Sequence, residues 1–190
     1  MTNVVKALPR IEEYNNETTE RKTHMDKQNK IGLNQLGANL YIEEPLDLTV
    51  GVDRSVKPTY PDWFKKLEHP ELECSGPAKY NLQAEVYGWF HDDQKNGYTT
   101  GKIICKYLQE SKAVSTCLNL QDGLAIQAKG IVVFRKLFVD KAVFLWGSVA
   151  QNRDGHLYVP YLYDYGVSVG LDWRWLGNYW YSLSPALRFS

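Results

Sequence analysis

The sequence predicts an α+β fold in which helices come first and a mostly antiparallel, twisted sheet follows. Three observations carry that expectation. Between Leu82 and Phe138, apolar residues recur at spacings of three and four, the period of half-buried helices. At Lys141 to Ala150 that period gives way to a continuous apolar run, KAVFLWGSVA, of strand length. Further on, Val167, Val169, Leu171, Trp173 and Trp175 alternate with Ser168, Gly170, Asp172 and Arg174, as in a strand with one face buried.

Residues 1–30 are rich in Asn, Glu, Thr, Lys and Arg with few apolar anchors, which predicts a flexible tail. Residues 31–60 form an arm in which Leu46, Leu48, Val50 and Val52 alternate with Asp47, Thr49 and Gly51, an early strand that joins the sheet or a neighbouring subunit. A single domain is expected over 61–190. It opens with a short helix led by Pro61 and stopped at Pro70. A helical stretch follows at Leu82 to Phe90, then a helix from about Thr100 to Lys112 with Ile103, Ile104, Tyr107 and Leu108 on one side. The strongest helical pattern starts at Asn119, where Leu120, Leu124, Ala128, Ile131, Phe134 and Phe138 share a face. Lys141 to Ala150 reads as the central, doubly buried strand, and Asp154-Gly155 as a hairpin turn.

Composition narrows the function classes. Lys plus Arg and Asp plus Glu both number 22, a formal balance without the basic excess that nucleic-acid or anionic-membrane binding calls for. No apolar run is long enough to span a bilayer. No secretory signal is visible either, so a cytoplasmic site, or a virion or non-classically exported one, is expected. Cys74, Cys105 and Cys117 are odd in number and lack C-x-x-C spacing, so reduced core thiols are expected rather than a disulfide frame or zinc site. GxxxxGK[ST], GxGxxG and GxSxG are absent, and no cofactor is implied. His91-Asp92-Asp93 has the ligand chemistry of a metal-dependent hydrolase. Consecutive helical residues diverge by about a hundred degrees, however, so caps or turn residues are the favoured reading beside Asn96-Gly97.

The stretch from Asn152 to Ser190 carries the clearest functional signal. It contains no Lys, Glu, Gln or Met, although the preceding chain uses Lys, Glu and Gln freely. Tyr, Ser, Gly, Asp, Asn, His and Arg take their place, the residue types of binding surfaces: Tyr offers rigid amphipathic area, and Ser, Gly and Asn offer adaptable hydrogen bonds. An AAC or AAT codon whose adenines are replaced at random retains its third-position pyrimidine, so Lys, Glu, Gln, Met and Trp are never produced. The competing reading, an aromatic-rich sheet whose rings fill a core, does not account for the missing types.

The motifs LYVPYL and VSVGLDWRWLGNYWYSLSPALRF, with DLTVGVDRSVKPTYPDW, CLNLQDGLAIQAKGIVVFRKLF and KAVFLWGSV upstream, resemble the variable proteins of diversity-generating retroelements. In that family, reverse transcription of a template repeat mutates adenines while a scaffold stays constant. The resemblance implies a C-type-lectin-like fold. Its scaffold would be Leu157, Val159, Pro160, Leu162, Val167, Val169, Leu171, Trp173, Trp175, Leu176, Trp180, Pro185, Ala186, Leu187 and Phe189. Display positions would be His156, Tyr158, Tyr161, Tyr163, Asp164, Tyr165, Ser168, Gly170, Asp172, Arg174, Gly177, Asn178, Tyr179, Tyr181, Ser182, Leu183 and Ser184. With no Glu in the stretch, the calcium site of C-type lectins is not expected.

The function that follows is a hypervariable display protein binding a macromolecular ligand, protein or glycan, without catalysis. The alternative is a non-variable glycan- or protein-binding module of the same fold. Homo-oligomerisation is open: apolar residues of Ile31 to Val52, if exposed, would indicate a subunit contact.

Overall fold

The computed structural model describes residues 45–190; the expected tail at 1–30 and the first part of the arm lie outside them. Leu46–Ser190 form one compact unit. The strands are β1 (Thr49–Gly51), β2 (Phe64–Leu67), β3 (Lys79–Asn81), β4 (Val86–Trp89), β5 (Thr99–Thr100), β6 (Val143–Phe144), β7 (Ala150–Asn152), β8 (Leu157–Asp164), β9 (Val169–Trp175), β10 (Tyr179–Trp180) and β11 (Ala186–Phe189). The α-helices are α1 (Leu82–Glu85), α2 (Asp92–Lys95), α3 (Gly101–Glu110), α4 (Leu120–Ala128) and α5 (Ile131–Phe138). The architecture is mixed α+β with a mostly antiparallel sheet, and strands β1 to β5 are interspersed among the first helices rather than following them.

The main sheet runs β2-β7-β8-β6-β11-β4, with β9 paired to the other side of β8. β8 is its longest strand: β7 and β6 share one edge, and β9 covers the other from Tyr158↔Trp175 to Asp164↔Val169. β11 lies parallel to β6 and antiparallel to β4. Two small ladders, β1 with β3 and β5 with β10, complete the pairing.

Strand alternation divides the interior into two cores on opposite sheet faces. Val143, Leu162, Val169 and Leu187 pack with Ile126, Phe134 and Phe138 of α4 and α5 and with Leu48, Val50 and Val52. Phe144, Val159 and Ala186 pack with Ile104 and Leu108 of α3 and with Leu176 and Trp180. The early-strand pattern therefore belongs to the core from Leu48 onward: Leu48, Val50 and Val52 are buried rather than free for a subunit contact, whereas Leu46 is exposed, and the earlier residues of the arm lie outside the described ones.

Several local expectations are corrected by pairing partners distant in sequence. The helix expected at Pro61 to Pro70 is strand β2, held antiparallel to β7; only Pro70–Leu72 turns helically, as a 3-10 segment. The stretch Leu82 to Phe90 is helical only through Glu85, where Asn81 caps it by accepting from the Gln83 and Ala84 amides. Val86–Trp89 pairs instead with β11, so β-branched and aromatic residues follow their sheet preference. The helical pattern from Asn119 is two helices, because Gly130 adopts a φ of 86° between α4 and α5. On α3, Ile104 and Leu108 face inward, whereas Ile103 and Tyr107 are exposed.

The run Lys141 to Ala150 is buried as expected from Val143 onward, but it is not one strand. A 3-10 turn at Trp146–Ser148 interrupts it, bringing Gly147 so close to the chain that a Cβ there would lie 2.9 Å from the Cys117 carbonyl. Ser148 Oγ then accepts from the Leu120 amide at 2.8 Å, satisfying the start of α4. Asp154-Gly155 does form the β7–β8 hairpin, with Asn152 Oδ1 accepting from the Asp154 and His156 amides. Cys74, Cys105 and Cys117 are free; burial pushes the Cys105 and Cys117 thiols up to about 11 and about 12. Among the described residues no helix is long and apolar enough to cross a membrane.

Candidate functional site: a tyrosine band on β8, β9 and β10

The register of β8 with β9 assigns each side chain a face. Residues directly opposite share a face, so Val159, Tyr161 and Tyr163 stand with Arg174, Asp172 and Gly170. Tyr158, Pro160, Leu162 and Asp164 stand with Trp175, Trp173, Leu171 and Val169 on the other. Val159 at the root of the first face is buried beneath Trp180 and α3, and beyond it the face opens to solvent.

Along that face the side chains form a connected band. Tyr165 meets Tyr163 edge-on at 6.0 Å between centroids, and Tyr163 meets Tyr161 at 5.5 Å. Tyr161 Oη donates to Asp172 Oδ2 at 3.4 Å while its ring stacks on buried Phe144. Burial first, then the Asp172 carboxylate, raises the Tyr161 phenol. Arg174, two residues from Asp172 on the same face, places its guanidinium 5.2 Å from the Trp180 ring centroid and donates to the Tyr179 carbonyl at 2.9 Å. Tyr179 abuts Tyr98 at 4.7 Å, and Tyr98 lies 6.0 Å from Tyr181. Tyr179 and Tyr181 are each half exposed and Tyr165 is two-thirds exposed.

Gly170 has a specific place in the band. A Cβ there would come within 2.5 Å of Tyr163 Cζ, so the absence of a side chain lets the Tyr163 ring lie across β9. Any larger residue at 170 must displace that ring, which couples the two positions.

The structure brings Tyr161, Tyr163, Tyr165, Gly170, Asp172, Arg174, Tyr179 and Tyr181 into this band and sets the other expected positions around it. Ser168 lies in the exposed β8–β9 turn, where its carbonyl accepts from the Tyr165 amide. Gly177 and Asn178 form the β9–β10 turn, and Ser182, Leu183 and Ser184 the loop leading into β11. His156 is at the far end of the strand, against the Trp175 ring at 5.8 Å. Two expected display residues belong to the opposite face. Tyr158 packs on Trp63 at 4.8 Å, and Asp164 forms an ion pair with Arg135 of α5, 2.6 Å from Nε, which holds its carboxyl below the usual range.

Two scaffold assignments also change. Val167 is 90% exposed because the alternation begins only at Val169; Val167 sits in the turn and has no sheet face to occupy. Trp175 is 38% exposed at the strand end, where its ring covers Gly177, while Trp173 is wedged against Trp63 and Tyr60.

His91, Asp92 and Asp93 do not gather around a common point. His91 caps the start of α2, its Nδ1 accepting from the Asp93 amide at 3.2 Å, and Asp92 pairs with Lys95. Among the described residues no group of three or more His, Cys, Asp or Glu is placed to hold a metal ion.

Sequence reasoning missed two contributors. Tyr98 reaches the band because β5 pairs with β10 across nearly 80 residues, and its only sequence signal was an aromatic beside the Asn96-Gly97 turn. Gln94 is buried, and its Nε2 donates to the carbonyls of Tyr181 and Ser184.

No family model matches the chain, and neither a curated protein nor a solved structure matches it.

Proposed function

We propose that this protein is a ligand-binding display protein of the diversity-generating-retroelement type, carrying its variable residues on a C-type-lectin-like domain. One observation carries the reading. Within the stretch lacking Lys, Glu, Gln and Met, the band residues are of types that adenine replacement can produce, whereas of the tryptophans, which it cannot produce, Trp180 is fully buried and Trp173 and Trp175 stand on the face of β9 opposite the band, Trp175 partly exposed at the strand end. Val167, exposed in the β8–β9 turn, joins the display side on the same ground. Binding rests on burial of the tyrosine rings, with Asp172 and Arg174 supplying charge complementarity to a protein or glycan ligand. No catalytic step is part of the function.

Exposed Tyr and Trp rings also suit a non-variable module that stacks on sugar or protein, which is the second reading. Sequencing the coding region in several clones from the source population separates them. Substitutions confined to the band and its flanking turns, with Trp173, Trp175, Leu176, Trp180 and Leu187 constant, are expected. Uniform sequences would favour the non-variable module, and substitutions scattered through both cores would defeat the display reading.

A further inference from the structure

We infer that Gln94, which lies outside the variable stretch, is a positioning residue that sets the main-chain path of the 181–184 loop independently of the side chains displayed there. Gln94 is 1% exposed on the short helix α2. Its Oε1 accepts from the His91 amide at 3.0 Å, and its Nε2 donates to the carbonyls of Tyr181 at 3.2 Å and Ser184 at 2.9 Å. The amide group thus spends both ends on backbone: one end fastens it to its own helix start, the other to the display loop.

The choice of atoms matters more than the number of bonds. A clamp on side chains would fail whenever those side chains changed, but a clamp on carbonyls is indifferent to what residues 181 and 184 are. The rest of the loop is held the same way. The Ala142 amide donates to the Leu183 carbonyl at 3.0 Å, and the Phe144 amide to the Pro185 carbonyl at 2.8 Å. Every one of these donors lies outside Asn152 to Ser190. Within the loop, the Ser184 amide closes the turn onto the Tyr181 carbonyl at 3.0 Å, so that carbonyl receives one local and one external donor.

This inference rests on the display reading for its purpose but not for its test. The experiment is amide hydrogen exchange of the full chain, read at Ser184, Ala142 and Phe144 and, as a control for global stability, at Leu162 in β8. Gln94→Glu keeps the acceptor for His91 but turns a carboxylate toward two carbonyls; Gln94→Leu removes both functions at similar volume. Exchange at Ser184 and Ala142 is expected to rise about tenfold or more in Gln94→Glu, with Leu162 unchanged. Unchanged exchange at Ser184 and Ala142 in both variants would overturn the clamp.

A third arm leaves Gln94 intact and replaces the loop side chains together: Tyr181→Ser, Ser182→Asn and Leu183→Tyr. Exchange at Ser184 within about twofold of the parent is expected; a rise matching that of Gln94→Glu would show that side chains, not the clamp, hold the loop. Uniform sequences in the population would end the display reading while leaving the clamp intact. An unclamped loop in a varying population would do the reverse.

Discussion

Asp122 has side-chain exposure of 1% and accepts from three donors: Arg54 Nη2 at 2.6 Å, Tyr80 Oη at 3.1 Å and the Asn119 amide at 2.9 Å. Burial pushes its carboxyl up, opposed first by the Arg54 hydrogen bond. Removing the carboxylate would leave a guanidinium that is nearly shielded from water without its partner. Asp122→Ala is therefore expected to lower the unfolding free energy by about 3–5 kcal/mol, read from the urea midpoint. At the exposed tyrosine band the residue-scale expectation is opposite in kind. Tyr179→Ser and Tyr181→Ser should each change stability by less than about 1 kcal/mol in thermal unfolding, because half of each ring is already in water. Trp180, one residue away and fully buried between Phe144 and Trp146, should cost about 3–5 kcal/mol as Trp180→Ala.

At the scale of elements, the junction of α4 and α5 is where local propensity and tertiary demand can be told apart. The apolar period runs through Gly130 without a break, and a single helix would satisfy it. The observed φ of 86° breaks the helix so that α5 can pack Val133, Phe134 and Phe138 into the core behind β8. Gly130→Ala meets no atom within 4 Å, so its effect isolates the backbone. A loss of about 1–3 kcal/mol is expected in chemical denaturation, because φ 86° with ψ 172° is a backbone region essentially confined to glycine. A gain instead would mean that the two helices join without penalty. The β8–β9 pair makes the complementary point. Its alternation was legible over Val169 to Trp175, which pairs with β8 throughout, and failed at Val167, which lies in the turn before the strand, where period two no longer sorts side chains between core and water; Trp175 keeps the face of Trp173 but is partly exposed because the strand ends there.

Across the whole molecule, the two cores meet at the sheet through adjacent residues, Val143 beside Phe144 and Ala186 beside Leu187, so changes on the open end of β8–β9 need not disturb either interior. Replacing Tyr163, Tyr165, Tyr179 and Tyr181 together by Ser is expected to leave folding cooperative, with an unchanged circular-dichroism spectrum. Loss of the folded spectrum would show that the band is structural. The sequence by itself determined the α+β class, the buried run after Lys141, the β7–β8 hairpin and the residue chemistry of the closing stretch, because all of these are local properties of composition, turn chemistry and period. Tertiary structure alone decided that Val86–Trp89 is a strand, that Tyr158 and Asp164 face away from the band, that Tyr98 joins it and that Gln94 donates to the Tyr181 and Ser184 carbonyls. Each of those depends on a partner brought close by pairing or packing across long chain separations, and no local pattern encodes which partner that will be.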